Sequence, residues 1–272
     1  MAITETAVLI TGASSGIGAG LAREFVKRGR RVALVARRAE QLETLAEELR
    51  AAGGRASAHR GDVTVDGDVA RVVADLAAEG VVPDIVIANA GFGIVGKAQS
   101  LELDDYRRIF ETNVFGVLRT FKETQDSLRA TRGRFVIMGS VAGHISGPGG
   151  SPYAMSKFAV RALAEAMHGD LRAMGVGCTL VSPGFVDSDI RRTDNLGTFR
   201  AHAADPIPEW LRMRTGDAAR VMASGILSGK AEVCVTFHGK VLIFLGRHFP
   251  RLTRLLLVRA YRARPEPRRQ AV

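Results

Sequence analysis

Two groups of residues in this chain have types and spacings that suit chemistry. The first is Thr11-Gly12-Ala13-Ser14-Ser15-Gly16-Ile17-Gly18, which follows a short apolar run and precedes a helical pattern. Glycines on a strand-to-helix turn let the backbone approach a phosphate, and the helix N-terminus adds free N–H groups and a positive dipole end. In that context G-x-x-x-G-x-G predicts a dinucleotide pyrophosphate site. Taken alone, the same glycines would make a tight turn with no ligand. In dinucleotide folds an acidic residue about 20 positions further on binds the ribose 2′-hydroxyl. Here the second apolar run ends at Ala36, and Arg37 and Arg38 follow in place of a carboxylate. Two planar guanidinium groups suit a 2′-phosphate, so NADP(H) is expected in preference to NAD(H). The alternative is that both arginines are surface charges at a helix start.

The second group is Ser140 with Tyr153 and Lys157. A free phenol has a pKa of about 10, too high to exchange a proton readily at neutral pH. An ammonium nearby favours the phenolate and lowers that pKa. Four residues apart on a predicted helix, Tyr153 and Lys157 share a face. A Tyr and a Lys one turn apart are also common on ordinary amphipathic helices, and Ser140 alone is a serine at a strand end. The conjunction with the glycine loop and with Asn113 is what carries the reading.

The elements that must position these groups alternate regularly. Short Val-, Ile- and Leu-rich runs at 7–11, 31–36, 84–88, 134–138 and 176–181 read as strands buried on both faces. Helical patterns fall at 16–27, 39–51, 66–79 and 152–174. Strict alternation predicts an α/β fold: one doubly wound parallel sheet, Rossmann-like, with helices on both faces. A single domain over 1–240 and a C-terminal extension over 241–272 are expected. The aperiodic stretch 187–215 reads as a substrate lid, and 231–237 as a last strand.

In order and spacing, TGASSGIG at 11–18, ANAG at 88–91, Asn113, Ser140, Tyr153-x-x-x-Lys157 and Pro183-Gly184 followed by Phe185-Val186-Asp187-Ser188 resemble the short-chain dehydrogenases/reductases. The likeness runs from about residue 5 to 190 and weakens beyond. It implies an NADP(H)-dependent enzyme that moves a hydride between the nicotinamide and a carbonyl or alcohol carbon. It implies Tyr153 as acid/base, Lys157 beside it and on the nicotinamide ribose, Ser140 on the substrate oxygen, and Asn113 supporting a relay water near Lys157. It places Gly12, Ser14, Ser15, Gly16, Ile17 and Gly18 on the pyrophosphate and ribose. Asp62, with Val63, falls on the adenine; Asn89, Ala90 and Gly91 flank the adenosine ribose and central sheet. Pro183, Gly184, Val186 and Ser188 border the nicotinamide. Ser188 departs from the family's usual Thr but keeps a hydroxyl.

In the lid, Leu196, Phe199, Trp210 and Leu211 could form an apolar cover, with Phe92 and Ile145 facing the same pocket. That favours an apolar, lipid-like substrate, unless these residues only pack the lid on the body. His144, just after Ser140, could touch substrate or have no role. No His/Cys/Asp cluster has metal-ligand spacing, so no metal is expected.

Charge separates body from tail. Of the net +10, the segment 246–272 carries +7, from eight Arg and one Glu. A nearly balanced body argues against nucleic acid, while a basic tail suits a local surface role. Apolar runs at 241–245 and 255–258 are too short to span a bilayer, which takes about 20 residues. The tail then reads as a peripheral interfacial anchor, or as a helix packed on the body or a partner subunit. This ending puts the family's usual tetramer in doubt, although a homo-oligomer is still expected. Two cysteines without metal spacing suit reduced thiols, and no secretion signal opens the chain, so a cytoplasmic protein, peripherally membrane-associated through its tail in the anchor reading, is expected. Two rival functions remain: a non-catalytic nucleotide-binding regulator, and a membrane-surface interaction protein whose tail is the working part.

Overall fold

A computed structural model describes residues 5–191, 195, 205 and 207–262. Its centre is a seven-stranded sheet of order β3-β2-β1-β4-β5-β6-β7. The strands are β1 (Glu5–Thr11), β2 (Arg31–Ala36), β3 (Ala56–Arg60), β4 (Val81–Ala88), β5 (Arg134–Met138), β6 (Gly177–Ser182) and β7 (Glu232–Cys234). Every neighbouring pair is parallel. The order runs outward in both directions from β1 and β4, so a crevice opens at their carboxyl ends. Doubly wound sheets bind ligands there.

Strand periodicity explains the continuous apolar runs. Val8 and Ile10 enter a core with α1 (Gly16–Lys27), α2 (Ala39–Ala51) and α7 (Thr215–Leu227), through Phe25, Leu42 and Met222. Ala7 and Leu9 point the other way, into a core with α3 (Asp68–Ala78), α5 (Gly116–Thr131) and α6 (Ser151–Ala173), through Leu76, Leu128 and Val160. Successive residues alternate between faces and both faces are covered, so no polar position is left for the pattern to show.

The expected strands and helices are all present, within a few residues. β3 was not anticipated, because Ala-Ser-Ala-His-Arg at a sheet edge has no apolar run. The last strand is shorter than 231–237. Phe237 instead opens α8 (Phe237–His248), where the Thr236 hydroxyl accepts the Gly239 N–H at 3.2 Å as a helix cap. A further helix, α9 (Pro250–Arg262), follows. Between α4 (Leu103–Phe110) and α5 the backbone widens into one π-type turn at Glu111–Phe115, which holds Asn113. Such turns interrupt regular helices and recur at functional sites.

Phe135 of β5 is fully buried and meets Phe121 edge-to-face, ring centroids 5.3 Å apart. Phe135→Ala is expected to cost about 3–5 kcal/mol through the lost burial and the cavity left behind. Urea unfolding of the two proteins measures it.

Candidate active site

The glycine loop is held by the switch point itself. The Thr11 hydroxyl accepts the backbone N–H groups of Asn89 and Ala90, each at 3.1 Å. The Asn89 side-chain amide donates to the carbonyls of Thr11 at 2.9 Å and Gly12 at 3.2 Å. Gly12 has φ +65°, and a Cβ there would stand 2.7 Å from the Ala90 Cα. A side chain is therefore excluded by conformation and by space. At Gly18 a Cβ would meet the Asn89 amide at 2.7 Å and the Gly12 carbonyl. Ala90 and Gly91 complete this junction, Gly91 lying against the Asn113 side chain. Ile17 packs down on the core beneath the loop.

The two arginines separate. Arg38 donates from Nε and Nη2 to the Ser14 hydroxyl at 3.1 and 2.8 Å, and from Nη2 to Ser15 at 2.7 Å. Arg37 is 71% exposed and stands 3.9 Å from Asp62. The Asp62 carboxylate accepts the Thr64 N–H at 2.9 Å and its hydroxyl at 2.8 Å. Val63 is buried against Gly116 of α5. Beside the loop, Ser14, Gly16, Arg23, Gln41 and Glu48 line a cavity of about 280 Å³. A second, of about 270 Å³, joins Gly16 to Ser188 and Thr215. Free loop N–H groups, a backbone no side chain obstructs and guanidinium donors at its rim fit a phosphorylated dinucleotide.

Ser140 follows the end of β5, and Tyr153 and Lys157 stand on the first turns of α6, where Pro152 suits the unpaired N-terminal backbone. The Lys157 ammonium donates to the Met138 carbonyl at 2.8 Å and lies 5.7 Å from the Tyr153 ring centre. Burial drives its pKa down to about 8. Burial raises the Tyr153 phenol, while a hydrogen bond with Ser140 and the positive charge of Arg191 pull it down. The direction differs from the sequence expectation of a lowered phenol. In the folded chain Lys157 points at a carbonyl, and removal of the ring from water outweighs the charges near it.

Asn113, 1% exposed, grips the backbone of Phe92: its Oδ1 accepts the Phe92 N–H at 3.1 Å and its Nδ2 donates to the Phe92 carbonyl at 3.0 Å. It also donates to Ser156 at 3.1 Å. Its bonds therefore go to Phe92 and Ser156, one residue before Lys157. Gly93 lies against the Tyr153 ring and also against Ile190. Leu196 and Phe199 lie outside the described residues. Trp210 is 83% exposed and Leu211 partly so, which leaves Trp210 outside any closed pocket. The His144 ring is buried, with Nε2 3.1 Å from both the Ser182 hydroxyl and the Glu232 carboxylate, so it fastens its loop to β6 and β7. Among the described residues no cluster of His, Cys, Asp and Glu could hold a metal.

Sequence reasoning missed two residues. Thr11 was read only as part of a motif. His238 gave no signal at all, because its partner is more than fifty positions away. Its Nε2 accepts the Phe185 N–H at 3.0 Å and lies 3.2 Å from the Thr236 hydroxyl, while its ring stacks on Phe185 at 5.1 Å. A Cβ on Gly184 would strike His238 Nε2 at 2.7 Å. The turn Pro183-Gly184-Phe185-Val186 is thus clamped from α8, with the Pro183 carbonyl accepting Val141 N–H at 2.9 Å and Val186 buried.

Residues 6–197 match the family described as short chain dehydrogenase, and the chain belongs to it. An uncharacterised oxidoreductase of Myxococcus xanthus is 38% identical over 227 residues, 83% of this chain and 85% of that one. A short chain dehydrogenase/reductase from Burkholderia phymatum in complex with NAD has a TM-score of 0.80 at 25% identity, over 93% of this chain and 97% of its own. A short-chain dehydrogenase from Sphingobium yanoikuyae in complex with NADPH has a TM-score of 0.75 at 25% identity, over 98% of each. The chain is an oxidoreductase with a nucleotide-binding Rossmann fold, from a family acting on small molecules.

Burial lowers the His238 pKa from its ordinary 6.5, which suits a ring whose Nε2 must stay unprotonated to accept. As pH falls the unfolded chain takes up this proton first. The clamp's contribution is therefore whole above about pH 6.5 and is lost as pH falls through the lower folded value. His238→Phe keeps the stacking and removes the acceptor. We expect it to cost about 1 kcal/mol at pH 7.5, less at pH 5, and to speed hydrogen exchange at the Phe185 amide. Urea unfolding at the two pH values and exchange mass spectrometry read these outcomes.

Proposed function

We propose that this chain is an NADP(H)-dependent carbonyl reductase or secondary-alcohol dehydrogenase acting on an apolar small molecule. The observation that carries the reading is the grouping of Ser140, Tyr153 and Lys157 beyond the carboxyl end of β5, with Ser140 in a hydrogen bond with the Tyr153 phenol and the Lys157 ammonium 5.7 Å from its ring centre. The nicotinamide, when bound, supplies or accepts the hydride. The Ser140 hydroxyl holds the substrate oxygen and steadies its developing charge. The Tyr153 phenol gives that oxygen a proton in reduction and takes it back in oxidation. The Lys157 ammonium favours the phenolate left behind. Asn113 is a positioning residue that holds the Phe92 backbone and Ser156 in register with α6.

Gly12, Ser14, Ser15, Gly16, Ile17 and Gly18 would hold the pyrophosphate and ribose, with Asp62, Val63, Asn89, Ala90 and Gly91 along the adenosine. Pro183, Gly184, Val186 and Ser188 would border the nicotinamide. NADP(H) preference rests on Arg38, whose guanidinium already sits on Ser14 and Ser15. Arg37 would close the same phosphate from the other side. Gly93, which faces both Tyr153 and the apolar Ile190, supports an apolar substrate. Exposed Met155 and Phe158 on α6 fit a homo-oligomer contact, and two free thiols fit a reducing, cytoplasmic setting.

Three outcomes test this. Fluorescence titration is expected to show NADPH bound more tightly than NADH, and Arg38→Asp to erase most of that difference. Tyr153→Phe is expected to bind NADPH as the parent does while losing about 100-fold or more of kcat on a panel of apolar ketones and alcohols. NADPH binding with no Tyr153-dependent turnover would favour the non-catalytic regulator. In the pH–rate profile, kcat/KM for reduction is expected to fall above about pH 8, where Lys157 gives up its proton. A profile flat to pH 10 would remove Lys157 from this role.

A further inference from the structure

The two C-terminal helices carry an exposed apolar strip that the catalytic reading does not use. On α8, Phe237, Val241 and Phe244 recur at helical spacing and are 82%, 40% and 56% exposed. On α9, Leu252, Leu255 and Leu256 are each about half exposed, and so is Phe249 at the turn between the helices. The strip is continuous. Phe244 contacts His248 with ring centres 4.5 Å apart and Phe249 at 6.5 Å, bridging one helix to the next. The opposite face of α9 is spent on the body: Thr253 is buried, Leu257 lies on Gly147 and Tyr261 on Gly149.

Charge on this hairpin has one sign. From 237 to 262 the sequence holds Lys240, Arg247, Arg251, Arg254, Arg259 and Arg262, with no Asp or Glu. Among the described residues none of these six forms an ion pair with a carboxylate, although most arginines of the body do. An apolar strip beside unpaired cations, on helices of 12 and 13 residues, suits a surface that is oily and anionic at once. At about 1.5 Å per residue neither helix crosses a hydrocarbon core of about 30 Å, and no described helix is long and apolar enough to do so.

We propose that the α8–α9 hairpin seats this protein on the surface of an anionic lipid bilayer, with its aromatic and leucine side chains among the acyl chains and its arginines at the phosphates. The hairpin lies on the loop that follows Ser140, through Leu257 on Gly147, Tyr261 on Gly149 and Gly246 on Ile145. Docking would therefore bring the crevice mouth to the membrane. Binding to lipid does not depend on the proposed activity, so either can fail alone.

The test is co-sedimentation of the full chain with phosphatidylcholine vesicles and with mixed phosphatidylcholine–phosphatidylglycerol vesicles. Wild type is expected to bind the anionic vesicles, and to bind less as salt is raised. Phe244→Glu with Leu256→Glu, and separately Arg251→Glu with Arg254→Glu, are each expected to weaken binding by about tenfold or more. Far-ultraviolet circular dichroism and urea unfolding serve as the check that each variant is folded. No sedimentation with anionic vesicles, or equal binding by the folded variants, would overturn the proposal. So would wild type that ignores vesicles but forms a dimer by light scattering that Phe244→Glu with Leu256→Glu dissociates. That result would assign the strip to a second copy of this chain.

Discussion

Where β1 and β4 part, one hydroxyl and one carboxamide hold the crevice open. Thr11 accepts two consecutive N–H groups from the end of β4, and Asn89 returns its amide to two consecutive carbonyls of the glycine loop. Each group ties up backbone at a strand end, where the regular ladder of the sheet stops. The loop's close approach to Ala90 at Gly12 and to Asn89 at Gly18 leaves no space for a Cβ. The loop's shape, the start of α1 and the rim on which Arg38 rests all follow from this junction. Asn89 thus shapes the site as a strut of the loop rather than as a free donor.

Further along the sheet edge, burial rather than pairing sets the electrostatics. Lys157 and Tyr153 sit on one face of α6 and are both withdrawn from water. Burial pulls the ammonium down to about 8 and pushes the phenol up. Desolvation disfavours whichever form carries charge, so it moves a base and an acid in opposite directions: the phenol holds its proton more firmly and the ammonium less. Ser140 and Arg191 act against the rise at Tyr153. At neutral pH the ring therefore keeps its proton, and the amine, though nearer its own titration, keeps its charge.

The C-terminal helices join these two regions. His238 of α8 clamps the Pro183–Val186 turn, Gly246 of α8 meets Ile145, and α9 covers Gly147 and Gly149 in the loop after Ser140. Residues that read in sequence as an appendage therefore buttress both loops beside the crevice. The sequence reading offered a membrane anchor or a helix packed on protein. One face of the two helices packs on the body and the other is exposed.

What the sequence determined by itself was whatever depends on local pattern. Alternating apolar runs and helical stretches dictate a parallel sheet covered on both sides, and a glycine-rich turn after the first strand marks where a phosphate can approach. The family followed from motif order. Contacts between distant segments leave no local trace and were decided only by tertiary structure. Examples are the edge strand β3, which pairs without an apolar run, and the choice between Arg37 and Arg38, adjacent in sequence but turned to different neighbours. The engagement of His144 by Ser182 and Glu232 belongs here too, as does the grip of His238 on Phe185. The direction of the Tyr153 shift is of the same kind: spacing puts Lys157 on its face of the helix, but only packing decides how much water is lost, and that loss outweighs the nearby charge.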